Sequence, residues 1–291
     1  MTDAGRDGGA EQARLRQADS GEVAWRHWGP YLSERAWGSV REDYSANGDA
    51  WANFPFEHAR SRTYRWNEDG LAGFSDTEQT WCFALALWNG NDPILKERLF
   101  GLTNSQGNHG EDVKERYWFA DGTPSHAWMS WRYHYPQRAF PYEQLVNENA
   151  RRSRREPEYE LDDTGVFDDD RYFDVAVDYA KAAADDLCIR ITVRNAGPDA
   201  ATLELLPTLW FRNTWSWGLP NATPATQIDC EGARLVGVHR KIGTVVLDGI
   251  TTSDFLESLA CDNETNSELL YGAPGRSQYP KDGIGDHDVH G

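Results

Sequence analysis

Cysteine and methionine are scarce, with four Cys and two Met in 291 residues. Cys82, Cys188, Cys230 and Cys261 lie far apart and form no CxxC pair or Cys/His cluster, which excludes a zinc ribbon and a dense disulfide framework. Reduced, partly buried thiols are expected, and no motif calls for a metal or a cofactor. Positive charge is also in short supply: 29 Lys and Arg against 47 Asp and Glu give a net charge of −18. That balance repels phosphate backbones and anionic bilayers, and it argues against nucleic-acid and membrane partners. No apolar run reaches the roughly 18 residues of a membrane span, and the first 22 residues lack the apolar core of a signal peptide. A cytoplasmic location is the expectation. GxSxG, HExxH, the P-loop and GxGxxG are missing, so serine-hydrolase, zincin, NTPase and dinucleotide chemistry have no local support.

Aromatic residues are abundant, with 13 Trp, 12 Tyr and 11 Phe, far too much apolar surface for a disordered chain. Large rings fill sandwich cores, and they also stack on the C–H faces of sugars. Core packing is the default for any single Trp. Residues 1–21, rich in Gly, Ala, Asp, Gln and Arg, read as a disordered leader. From Thr80 to Trp88, large and small apolar residues alternate, as in a strand buried on both faces. Between Arg171 and Arg212, Phe173, Val175, Val177 and Tyr179 alternate. Leu187, Ile189, Ile191 and Val193 do the same, followed by Leu203 and Leu205. Three successive antiparallel strands are implied, the last two separated by a turn at Asn195 to Asp199. Short strands are predicted at Arg234 to His239 and Thr244 to Leu247. Asp92 to Leu102 reads as a short helix, with Pro93 at its first position and apolar residues at helical spacing. Many short strands without sustained helical periodicity define an all-β chain, a sandwich or a barrel. Arg151 to Arg155 and the acidic run after it read as a self-compensating surface loop. Asp168-Asp169-Asp170 lacks the Gly and Glu of an EF-hand loop and reads as a turn.

Ser33 to Tyr44 (SERAWGSVREDY) is the most specific polar segment. Glu34, Arg35, Arg41, Glu42 and Asp43 interleave there with Trp37 and Tyr44. Polyol ligands want aromatic faces for ring C–H groups and charged groups for hydroxyls. A loop knitted by its own ion pairs is the competing explanation. A second constellation, Asn104 to Trp118, contains His109, which reads as a structural loop histidine beside its possible acid–base role.

The runs WGPYLSERAWGSVREDYS (Trp28 to Ser45), HARSRTYRWNEDGLAGFSD (His58 to Asp76), ALALWNGNDPILKERLFGLTNSQGNHGEDVKE (Ala84 to Glu115) and LLPTLWFRNTWSWG (Leu205 to Gly218) resemble the front part of bacterial proteins of glycoside hydrolase family 63. These proteins are also described as glucosidases or as mannosylglycerate-hydrolase-like. The resemblance covers Trp25 to Gly291 and departs from the family pattern at Gly285, where Asn is usual. It implies a large antiparallel super-β-sandwich with a short helix and long loops, followed by an (α/α)6 barrel that carries two catalytic acids. Family chemistry is inverting hydrolysis of α-glucosidic or related α-linkages, one carboxylic acid protonating the leaving oxygen and one carboxylate activating water.

Neither catalytic acid maps onto this chain. The expected division is a leader at 1–21, the sandwich at 22–278, and the start of a linker to the barrel at 279–291. Glu34, Arg35, Trp37, Arg41, Glu42 and Asp43 are then expected as substrate-rim or interdomain contacts, and the barrel and an oligosaccharide or glycoside as partners. A free-standing carbohydrate-binding module is the alternative. A complete small hydrolase would need two carboxyl groups facing across a cleft at about 5 to 10 Å.

Overall fold

Runs of alternating residues become the two walls of one core. The computed structural model describes residues 9–38, 53–103, 106–110, 112–219, 226–249 and 257–291. Helix α1 (Ala10–Ser20), the two-residue strand β1 (Trp28–Gly29) and a single helical turn α2 (Phe56–Ala59) come first. Strands β2 (Leu71–Asp76), β3 (Trp81–Trp88), β4 (Gly101–Leu102), β5 (Asp112–Val113), β6 (Tyr117–Gly122) and β7 (Trp128–Pro136) follow, then helix α3 (Tyr142–Arg151). Beyond it lie β8 (Tyr172–Ala183), β9 (Asp186–Asn195), β10 (Glu204–Phe211), β11 (Thr226–Glu231), β12 (Arg234–His239) and β13 (Gly243–Asp248). Two short helices, α4 (Ser267–Tyr271) and α5 (Gly283–His290), complete the order.

All paired strands run antiparallel. One four-stranded sheet has the order β1-β2-β3-β10 and a second has β6-β7-β8-β9; β11-β12-β13 form a third sheet and β4-β5 a small ribbon. Phe74, Phe83, Leu85 and Leu87 from the first sheet meet Met129, Trp131, Tyr133, Tyr135, Phe173, Val175, Val177 and Tyr179 from the second in a single buried cluster. The chain is therefore an all-β sandwich, as the strand pattern predicts. Each large side chain removed from water in this way contributes roughly 1.5–3 kcal/mol. On β7 and β8 the alternation is clean, with polar Ser130, Arg132, Asp174 and Asp178 on the other face. β3 is buried on both faces: away from the core, Ala84 lies against Gly70, where an added Cβ would stand 2.4 Å from the Ala84 methyl. The third sheet meets the strand at Trp81. At Gly237 of β12 an added Cβ would stand 1.9 Å from the Trp81 ring, so only glycine permits that approach.

Tyrosines tie the two walls together. The Tyr179 hydroxyl donates to the Ala72 carbonyl (2.5 Å), and the Ala72 N–H donates to the Tyr117 hydroxyl (2.7 Å). Ala72 sits at φ 49°, at the register shift between β2 and β3. The bulge is held open by partners from the opposite sheet.

Three expectations from the sequence need correction, and one helix is unforeseen. Residues 10–20 are helical rather than a disordered leader. Ser125 donates to the Glu11 carboxylate through both its N–H (2.8 Å) and its hydroxyl (2.7 Å), and Trp25 donates to Gln17 at 2.9 Å. Asp92 to Leu102 is not a helix: Lys96 pairs with Leu87 of β3 by backbone bonds of 2.9 and 3.0 Å. The extended backbone delivers Lys96 and Arg98 to buried carboxylates, and a buried cation without such a partner is prohibitively costly. β10 does not pair with β9; after the turn at Asn195 it crosses to β3 in the other sheet. Helix α3, finally, had no counterpart in the sequence reading; it buries Leu145 and Asn149. Among the described residues no helix is long and apolar enough to cross a membrane.

Candidate functional site

The loop singled out by its mixture of charge and aromatics is described only as far as Gly38, so Arg41, Glu42 and Asp43 lie outside the described residues. Glu34 is half-buried and its carbonyl accepts the Leu99 N–H at 3.1 Å. Arg35 lies over the Trp37 ring, 4.7 Å from its centroid, and donates to the Trp37 carbonyl at 3.0 Å. Trp37 itself is fully buried. Its indole N–H donates to the Leu99 carbonyl at 2.6 Å, and its ring meets Phe56 edge-on. A ring that stacks on a sugar needs an open face, and this one has none. Trp37 therefore anchors its loop to the core, which corrects the expectation that it contacts substrate at a rim.

Two adjacent carboxylates that the sequence reading passed over hold this region. Asp69 accepts the Ala36 N–H at 2.7 Å and is paired with the buried Arg98 guanidinium at 2.9 and 3.4 Å. Glu68 accepts from the Trp210 indole at 3.0 Å, the Asn213 N–H at 3.2 Å and the Asn263 amide at 3.5 Å. Burial pushes the Glu68 carboxyl above its ordinary range, against the opposing pull of Lys281, Trp210 and Asn213. A raised carboxyl is what a general acid requires. Glu68, however, is 2% exposed and its oxygens are committed to the framework, so it acts as a clamp. The pair was legible only as the run Glu68-Asp69 before a strand. Their partners lie 29 residues away at Arg98 and 195 away at Asn263, beyond any local pattern.

What Glu68 clamps is the C-terminal segment. Asn213 donates to the Asn263 carbonyl at 2.7 Å, Trp215 to Glu264 at 2.6 Å, and Asn266 N–H to the Ser61 carbonyl at 2.8 Å. The Asn266 side chain caps α4 by accepting the Leu269 N–H and donates to Asp282 at 3.1 Å. A segment so well pinned nevertheless carries large apolar side chains outward. Leu269 is 60% exposed, Tyr271 56% and Tyr279 60%, and Trp66, on the segment that the Arg212 guanidinium holds through the Trp66 carbonyl, is 38% exposed. Leu269, Tyr271 and Tyr279 are thus large apolar side chains that the pinned segment leaves open to solvent.

A second cluster gathers Asp112, Glu158 and Glu160, whose carboxylate oxygens lie within 4.8 Å of one another. Such a set could hold a cation, and the Lys114 ammonium occupies it, bonded to all three. Burial pulls the Lys114 pKa down, but the three carboxylates outweigh it and hold the ammonium above its usual range. His109 is exposed, its Nε2 2.9 Å from the Glu156 carbonyl, and no acid or base partner faces it among the described residues.

No protein-family model and no solved structure matches the chain. A curated relative does. The uncharacterized protein YMR196W of Saccharomyces cerevisiae is 42% identical over 317 aligned positions, an alignment that takes in 98% of this chain and 29% of the yeast protein. The chain thus spans less than a third of the length of the relative it matches.

Proposed function

We propose that this chain is the amino-terminal, non-catalytic sandwich of a glycoside hydrolase acting on α-glucosidic or related α-linked sugars. In this reading it packs on an (α/α)6 catalytic barrel and lends loops to the rim of that barrel's active site. The observation that carries the reading is the exposed apolar set Leu269, Tyr271 and Tyr279 on a segment locked to the sandwich by Glu68 and Asn266. Four carbonyl and carboxylate clamps on a solvent-facing tail make sense where a second body sits on it. The resemblance of residues 25–291 to the front of family 63 proteins supplies the chemistry, and the 29% span on the yeast relative supplies room for a second body.

The alternative is a free-standing carbohydrate-binding module. Trp118 and Trp128, 45% and 36% exposed on the second sheet, favour it, with Arg132 opposite Trp118 across the β6–β7 pair and bonded to Asp174 of β8. Co-production of this chain with YMR196W lacking its matching segment separates the two. The docked reading expects a complex that L269D/Y279D weakens at least tenfold and that Trp118→Ala leaves intact. No complex, together with oligosaccharide affinity lost in Trp118→Ala, would replace it with the binding module.

A further inference from the structure

A polar cleft of about 710 Å³ opens at the end of the sandwich where the chain crosses from one sheet to the other. Its walls are the turn after β3, the exit of β7, the turn before β8 and the stretch between β9 and β10. We propose that this cleft binds a small sugar bearing a carboxylate or phosphate, with Arg138 supplying the charge that receives the anion. The inference stands apart from the docking surface and does not depend on it.

The frame of the cleft is held by its own amides, which are spent on neighbouring carbonyls and side chains. Asn89 donates to the carbonyls of Pro136 (2.6 Å) and Arg138 (3.0 Å), and Gln137 donates to the Asn195 side chain at 2.6 Å. Arg171 is neutralised by Asp199 at 2.8 Å, with Asp169 at 3.8 Å. Arg138 differs: its guanidinium donates to the Gly165 carbonyl at 2.9 Å and has no carboxylate ion-pair partner among the described residues. In a chain of net charge −18, a guanidinium left with a neutral acceptor on the wall of a cleft has charge to offer. Its fork suits the two oxygens of a carboxylate or phosphate.

Neutral donors complete the wall. The N–H groups of Ala200, Ala201 and Thr202 make no hydrogen bond to the described residues, and these three residues are exposed. Asp169 and Asp170, at φ 60° and 54°, take up the left-handed conformation that non-glycine residues avoid. No aromatic ring lines the cleft and alanine supplies its only apolar side chains. It therefore offers neither a stacking platform for a neutral oligosaccharide nor a pocket for a lipid tail. Its volume falls within the range of about 300–1,000 Å³ usual for small-molecule sites. Hydroxyls to engage the free amides and one oxyanion to engage Arg138 define the ligand class.

Isothermal titration of the purified chain with sodium glucuronate, glucose 6-phosphate, glucose and inorganic phosphate tests this. Saturable binding of glucuronate or glucose 6-phosphate is expected, at least tenfold tighter than glucose or phosphate, and the tighter of the two names the anion. Arg138→Gln, on the surface, should weaken it at least tenfold. Ala201→Trp, which fills the cleft from an exposed position, should abolish it with the thermal midpoint unchanged. The proposal is overturned if neither sugar anion saturates, if phosphate alone binds as tightly, or if both variants bind as the parent does.

Discussion

At the residue scale, the buried ion pair of Arg98 and Asp69 links three separate stretches of chain. The Asp69 carboxylate holds the loop through Ala36 and the irregular strand through Arg98. Burial lowers the Arg98 pKa, but Asp69 and Glu97 more than restore it, so the guanidinium stays charged at any working pH. Asp69→Ala would strand that charge in the interior and is expected to cost about 3–5 kcal/mol in urea denaturation. A loss below about 1 kcal/mol would show that water reaches Arg98. None of this could be read from the sequence, because pairing across 29 residues leaves no periodic trace. Trp37 illustrates the same limit: its neighbours Glu34 and Arg35 suggested a ligand face, whereas the hydrogen bond to Leu99 and the contact with Phe56 place the ring inside.

At the scale of elements, alternation was legible wherever a strand has one face in the core or both. β3 and β8 follow Trp81 to Trp88 and Phe173 to Tyr179 as expected, since period two is a local property. Pairing partners were not, because the crossing of β10 to β3 depends on which edges are free after β9. The helical spacing at Asp92 to Leu102 misled because two cations override it, and α1 was missed because its sequence is polar on every side. Lys181 at the end of β8 shows how elements are joined: its ammonium donates to the carbonyls of Trp25 and Trp28, each at 2.6 Å. Burial pushes its pKa down from 10.5 to about 8. Between those values the unfolded chain holds the extra proton, so this group makes stability rise with pH from about 8 to 10.5, on the order of 1 kcal/mol. Lys181→Met should flatten that rise in denaturation measured at a series of pH values. An unchanged slope would mean that another group carries it.

At the scale of the whole molecule, the proposed function treats the sandwich as a body whose outer surface receives a second one. Its buried carboxylates Glu68, Asp69 and Glu115 are bonded to framework donors, and the exposed apolar side chains sit on the clamped C-terminal segment. Fold class was legible from strand pattern alone. The surface was not, because exposure of Leu269, Tyr271 and Tyr279 is decided by where the segment docks. The most direct test is the hydrolysis of aryl α-glucosides and α-linked disaccharides by the purified 291-residue chain, beside the same chain joined to the remaining part of YMR196W. The account predicts turnover by the joined protein alone. Turnover by the short chain, abolished by substituting one of its own Glu or Asp residues, would contradict it and place the catalytic carboxylates in the sandwich.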